Sequence, residues 1–251
     1  MKIFHLIIPC ILILSFNACT QDDVPRWKEI SFPSMDSLEI TADFYPADQN
    51  EGTYIILFHQ ANFSRGSYRT IAPKLNALGY NCVAVDQRSG HKALGVINKT
   101  CKRAIAANKP IKFVNAVQDM EAAFLYVKDE LKAKKIILWG SSYSASIVIY
   151  LANKYPDNIE GVLSFSPGEY FKIKDQDIAS FAEAITCPVF ITSAKNEQEK
   201  WNGIYENISS EKSYFLPEQG GAHGSKALWP EKKGNEAYWK AVISFLHTVG
   251  M

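Results

Sequence analysis

Four serines, Ser141, Ser142, Ser144 and Ser146, fall within six positions between an apolar run and a helix-like run. A serine hydroxyl does nothing at neutral pH unless a base takes its proton, so the chemistry this cluster could do is attack on an acyl carbon with a histidine as partner. Gly140-Ser141-Ser142-Tyr143-Ser144 fits G-x-S-x-G with Ser144 in place of the final glycine, and the spacing singles out Ser142. Such a nucleophile sits on a strained strand-to-helix turn, so the residues two before and two after it must be small. Gly140 and Ser144 meet that demand. A serine-capped helix N-terminus is the plain alternative for the motif alone. Ser141, Ser144 and Ser146 read as packing or capping residues.

An acyl-transfer site also needs two backbone donors for the oxyanion, one from the residue after the nucleophile and one from the loop after the third strand. Tyr143 is the first. The loop His59-Gln60-Ala61-Asn62 follows the apolar run 54–58, and its third residue, Ala61, is the expected second donor.

The elements that must hold these residues are legible as period and punctuation. Strands are expected over 27–32, 38–45, 54–58, 82–85, 135–139, 161–165, 188–192 and 212–216, the second of them alternating as Leu38, Ile40, Ala42, Phe44. Helices are expected over 67–78, 113–131, 145–153, 175–184, 199–207 and 235–247. Continuous apolar runs separated by helical periods mean a mostly parallel central sheet with helices on both faces, entered through two antiparallel strands. One long irregular segment, 87–112, carries Gly90, Gly95, Asn98 and Pro110 and is expected to have a functional role. Ser142 then has a strand before it and a helix after it, which is the context its motif requires.

FHQAN at 58–62, GYNCVAVDQRSG at 79–90 with its strand-ending Asp86, WGSSYS at 139–144 and the late GGAHG at 220–224 together cover nearly the whole chain after the leader. In that order and spacing the chain resembles the α/β-hydrolase superfamily, and within it the small bacterial esterases and dienelactone-hydrolase-like members. The resemblance implies an α/β-hydrolase fold and a base after the last strand, which is His223. His59 then orders its own loop instead of acting as the base. It also implies an acid after the strand before the last, usually in a G-x-x-D turn. Here the counterpart is Ala194-Lys195-Asn196-Glu197, and counting from Pro188 puts Glu197 at the acid's place. A shift of one would put Asn196 there, and Glu169, after the preceding strand, is a third option. About twenty residues separate the strands 161–165 and 188–192, enough for a helix and not for a cap domain, so the cap is minimal and the site open. Tyr170 and Phe171 either line a pocket there or pack.

These residues point to a serine hydrolase acting through an acyl-enzyme, most plainly on a small carboxylic ester. A non-catalytic binding lipoprotein of the same fold, or a peptidase or amidase, are the alternatives. No cofactor is implied, and no C-x-x-C or clustered His/Cys spacing suggests a metal.

The chain has 251 residues, 47% of them hydrophobic, which is enough for one large core in a single domain over 26–251. Lys and Arg total 27 against 26 Asp and Glu, with no basic stripe for a nucleic-acid backbone. The N-terminus reads as an export signal: Lys2, an apolar run over 3–16 too short to span a bilayer, then Asn17-Ala18-Cys19. Residues 1–18 are the expected signal peptide and Cys19 the expected lipid-bearing first residue, although Phe16 stands where such boxes usually carry Leu. Residues 19–25 would be the tether of a cell-envelope lipoprotein touching the membrane only through that anchor. Cys82, Cys101 and Cys187 are expected to be buried thiols.

Overall fold

The structure is a computed structural model that describes residue 1, residues 27–48 and residues 52–249. Residues 2–18 of the expected signal peptide, Cys19 and the whole of the expected tether over 19–25 lie outside the described residues. No helix among the described residues is long and apolar enough to cross a membrane.

Eight strands form one sheet: β1 (Lys28–Pro33), β2 (Glu39–Tyr45), β3 (Thr53–Phe58), β4 (Asn81–Val85), β7 (Lys135–Ser141), β8 (Gly161–Phe165), β9 (Val189–Thr192) and β10 (Lys212–Phe215). The spatial order is β1-β2-β4-β3-β7-β8-β9-β10. β1 and β2 pair antiparallel, β2 joins β4 antiparallel, and every pairing from β4 to β10 is parallel. The α/β-hydrolase fold expected from the sequence is the one observed.

The connecting helices are α1 (Ala72–Ala77), α2 (Lys99–Ala106), α3 (Val117–Asp129), α4 (Tyr143–Lys154), α5 (Ile178–Ala182), α6 (Gln198–Asn207) and α7 (Asn235–Val249). They cover both faces of the sheet. On β3, Ile56 and Phe58 pack with Met120, Phe124 and Ile147 from α3 and α4, while Ile55 and Leu57 pack with Leu75, Trp239, Val242 and Phe245 from α1 and α7. Alternate residues of one strand therefore enter two cores, which is why the strand is apolar throughout. Cys82, Cys101 and Cys187 are buried free thiols, and burial pushes the Cys187 thiol up to about 12, so it stays protonated.

Two expectations are corrected. The helix over 67–78 is broken: a short 3-10 turn at Arg65–Tyr68 precedes α1, and Pro73 sits in the first turn of α1, where its missing N–H costs nothing. The segment 87–112 is not irregular, for it holds a small hairpin, β5 (Lys92–Ala93) with β6 (Val96–Ile97), and then α2. Asn98 starts α2 by accepting from the Cys101 N–H at 2.7 Å. Asp86 fastens this segment to the sheet, accepting from the backbone N–H groups of Arg65 and Lys99, both at 2.8 Å, and from the Arg65 guanidinium at 2.6 Å.

Strand register sets the place of the chemistry. Phe58 pairs with Gly140, Gly140 with Ser164, and Phe165 with Thr192, so four parallel strands end at one level. The loops that open one or two residues later therefore meet at a single edge, where ligands of open α/β sheets bind. Only α5 and its loops lie between β8 and β9, so among the described residues no cap domain is inserted there over that edge.

Candidate active site

Ser142 occupies the turn between β7 and α4 with φ 60° and ψ −124°, a conformation a non-glycine side chain seldom adopts. The turn is held from both sides: the Ser142 N–H donates to the Phe165 carbonyl at 2.7 Å, and its own carbonyl accepts from the Ala145 N–H at 2.8 Å. Gly140 is required because a Cβ there would run into the Ser144 carbonyl and the backbone of Ala145.

The other serines of the cluster each have a separate hydrogen-bonding role. Ser144 Oγ accepts from the Ser141 N–H at 2.8 Å and lies 2.9 Å from the carbonyls of Phe58 and Ser141, so the residue that replaces glycine ties the elbow to the end of β3. Ser141 Oγ accepts from the Ser225 N–H at 2.9 Å and anchors the histidine loop. Ser146 Oγ holds Gly168 through its carbonyl at 2.7 Å and its N–H at 3.1 Å.

His223 reaches the elbow from the loop after β10. Its Nε2 lies 2.7 Å from Ser142 Oγ and its Nδ1 2.6 Å from Glu197 Oε1. An ionised carboxylate only accepts, so Nδ1 carries the ring proton and Nε2 accepts from Ser142. The following glycine, Gly224, has φ +69°, and a Cβ on it would meet Ser141 Oγ and Gln60 Oε1. Glu197 sits at the end of the short turn after β9. Its carboxylate also accepts from Ser166 Oγ at 2.7 Å and from the Ala194 N–H at 3.2 Å. Burial raises the Glu197 pKa, but the hydrogen bonds from His223 and Ser166 outweigh it and leave the group below its ordinary value.

The three candidates for the acid separate cleanly in space. Glu169 turns away and accepts from the Ile178 and Ala179 N–H groups at 2.6 and 2.8 Å, at the start of α5. Asn196 is exposed, while Glu197 is buried. His59 is wholly enclosed, with Nδ1 on the Gln60 carbonyl at 2.8 Å and Nε2 accepting from the Gln87 N–H at 3.2 Å. Desolvation lowers its pKa to about 4, so it is a neutral brace for the 59–62 loop.

Ala61 lies half-buried in that loop, and among the described residues its N–H donates to no protein group. Tyr143 is the first residue of α4, and an N–H at that position has no partner within its helix. The Tyr143 side chain is fully buried, stacks on Phe113 at 4.7 Å, and donates to the Ser89 carbonyl at 3.2 Å.

Ser166 is the residue the sequence did not point to. It follows β8 with φ 56°, donates to Glu197, and accepts from the Gly224 N–H at 2.9 Å. One hydroxyl thus fixes the Glu197 carboxylate and the histidine loop together. The available signal was its place directly after a parallel strand adjacent to the acid's strand.

The family model described as serine aminopeptidase, S33, matches residues 49–214. The chain belongs to this family. It is therefore a hydrolase of the α/β-hydrolase superfamily, and the matched residues run from β3 into β10. No curated protein sequence matches the chain. Among solved structures, a dienelactone hydrolase from Anabaena variabilis is similar over 89% of this chain and 99% of its own, with TM-score 0.68 and 12% identity. An esterase from Pyrococcus furiosus is similar over 89% and 91%, with TM-score 0.65 and 16% identity. An acetyl xylan esterase from Thermoanaerobacterium is similar over 92% and 86%, with TM-score 0.67 and 15% identity. At such identities the likeness of this S33-family chain to those enzymes is one of fold.

Proposed function

We propose that the protein is a serine hydrolase that cleaves carboxylic esters through an acyl-enzyme. The observation that carries this reading is the unbroken line from Ser142 Oγ to His223 at 2.7 Å and from His223 to Glu197 at 2.6 Å. Ser142 Oγ bonds to the ester carbonyl carbon while His223 Nε2 takes its proton, and the N–H groups of Ala61 and Tyr143 receive the oxyanion. Collapse breaks the bond to the alcohol oxygen, which leaves with the proton from His223. Water then repeats the sequence, giving its proton to His223 and its oxygen to the acyl carbon, and Ser142 recovers its proton as the acid departs. Glu197 stays ionised and balances the imidazolium formed in each half.

The open edge supports esters over peptides, because among the described residues only α5 and its loops stand between β8 and β9, with no inserted domain to gate the site. The family's aminopeptidase description keeps peptide hydrolysis as the second reading. Chromogenic esters of graded acyl length, run beside aminoacyl anilides, decide between them. Ester turnover that disappears in Ser142→Ala is expected, and cleavage of the anilides alone would reject the ester reading.

We also propose that the mature chain begins at a lipidated Cys19 and is held at the cell envelope. The leader's short apolar run ending in Asn17-Ala18-Cys19 supports this. A single acyl chain binds a bilayer reversibly, so an anchored protein should carry two or more. Intact mass of the envelope fraction tests it, and an unmodified N-terminus beyond Cys19 would rule it out.

A further inference from the structure

Tyr170 is not part of the line from Ser142 to Glu197, yet its hydroxyl is directed at the same place. It belongs to the loop after β8, which is fastened at Gly168 by Ser146 Oγ and at Glu169 by the first two N–H groups of α5. Its ring lies over Gly168, where a Cβ would come within 3.2 Å of it. Its hydroxyl donates to the Ser166 carbonyl at 2.8 Å and lies against the Ser142 side chain.

The direction of these hydrogen bonds decides what Tyr170 offers. A carbonyl only accepts, so the single phenol proton is committed to Ser166, and the oxygen keeps a lone pair with which it can accept beside Ser142. The Ser142 proton is itself directed to His223. That lone pair is therefore left for a donor arriving with the substrate. Burial raises the phenol's pKa, with the Glu197 charge in the same direction and the Ser142 contact against it, so the hydroxyl stays neutral.

Sheet order says which part of the substrate arrives there. The Ala61 donor belongs to β3, on one side of β7, whereas Tyr170 follows β8, on the side of β9 and β10 that carries Glu197 and His223. The leaving group must lie on that second side, because His223 hands it its proton. We propose that Tyr170 is a specificity residue whose hydroxyl oxygen accepts a hydrogen bond from a free hydroxyl on the alcohol half of the ester, selecting polyol esters over esters of simple alkanols. This rests on the serine-hydrolase reading above.

Tyr170→Phe removes that oxygen and keeps the ring on Gly168. Wild type and variant are compared on glycerol monobutyrate and propyl butyrate, which share one acyl group, and on the rate of Ser142 labelling by a fluorophosphonate. The wild type should prefer the glycerol ester. The variant should lose about tenfold in kcat/KM on it, the size of one hydrogen bond, while propyl butyrate and labelling change less than about twofold. With labelling intact, an equal loss on both esters, no loss on the glycerol ester, or a wild type with no preference for it would each overturn the inference alone. A wild type that is not labelled at Ser142 would overturn the serine-hydrolase reading and this inference with it.

Discussion

Glu197→Gln changes one oxygen to an amino group, and the structure states what that does. All three partners of the carboxylate are donors: His223 Nδ1 at 2.6 Å, Ser166 Oγ at 2.7 Å and the Ala194 N–H at 3.2 Å. An amide has one accepting oxygen, so one of its two orientations must be chosen. With oxygen towards His223, the amino group faces the Ala194 N–H, which cannot turn, and Ser166, which already accepts from Gly224 at 2.9 Å. With the amino group towards His223, the ring proton is forced onto Nε2, and the histidine can no longer take the proton of Ser142. In both orientations the imidazolium loses its counter-charge. The expected loss is about 10³- to 10⁴-fold in kcat, or about 4–5.5 kcal/mol of transition-state stabilisation. The misplaced donor should cost a further ~1–3 kcal/mol of fold stability. Steady-state turnover of a chromogenic ester reads the first quantity and a urea midpoint the second. A variant within tenfold of wild-type kcat would refute the reasoning, and most sharply if Glu169→Gln were the one to fail.

Three other perturbations test the scaffold. Gly140→Ala puts a Cβ against the Ser144 carbonyl and the Ala145 backbone, so a loss of about 3 kcal/mol in denaturant midpoint is expected; an unchanged midpoint and kcat would mean the elbow has slack. Arg88 contacts Asp119 through Nε at 3.0 Å and Nη2 at 2.7 Å, with both side chains fully buried. Arg88→Met strands that carboxylate at about 3–5 kcal/mol, a fall on the order of 10 °C in Tm, which Arg88→Met with Asp119→Leu should largely restore. His59 titrates at about 4 when folded against 6.5 ordinarily, so below 6.5 the unfolded chain takes up a proton that the folded chain refuses. Stability carried by His59 is therefore present above pH 6.5 and lost as pH falls towards 4, on the order of 3 kcal/mol in all. Urea midpoints of His59→Gln should show a correspondingly shallower slope over that window, and identical slopes would contradict the assignment.

Much of this architecture is written in local patterns that tertiary structure does not override. Apolar runs such as 54–58 and 161–165 are buried on both faces, so they are strands wherever the helices fall. Gly140 and Ser144 announce the elbow because only small residues let its backbone close. The position of Glu197 was reachable by chain order, but that its carboxylate meets His223 while that of Glu169 meets the N–H groups of α5 needed the structure. α2 was missed because its face to the protein is only Thr100, Cys101 and Ala104, too small to give a helical period. Ser166 left no signal beyond its place directly after a strand: its role comes from β8 lying beside β9, a neighbour relation that spacing along the chain does not encode. The role of Tyr170 was likewise undecided between pocket and packing, because it depends on which way one proton points.

The central claim is that Ser142 is a nucleophile activated by His223. Incubation with a fluorophosphonate, followed by intact mass and peptide mapping, tests it most directly. The account predicts one phosphonyl adduct on Ser142, formed at a rate that falls by orders of magnitude in His223→Ala and absent in Ser142→Ala. An unlabelled wild type, or an adduct that persists in Ser142→Ala on Ser141 or Ser144, would contradict it.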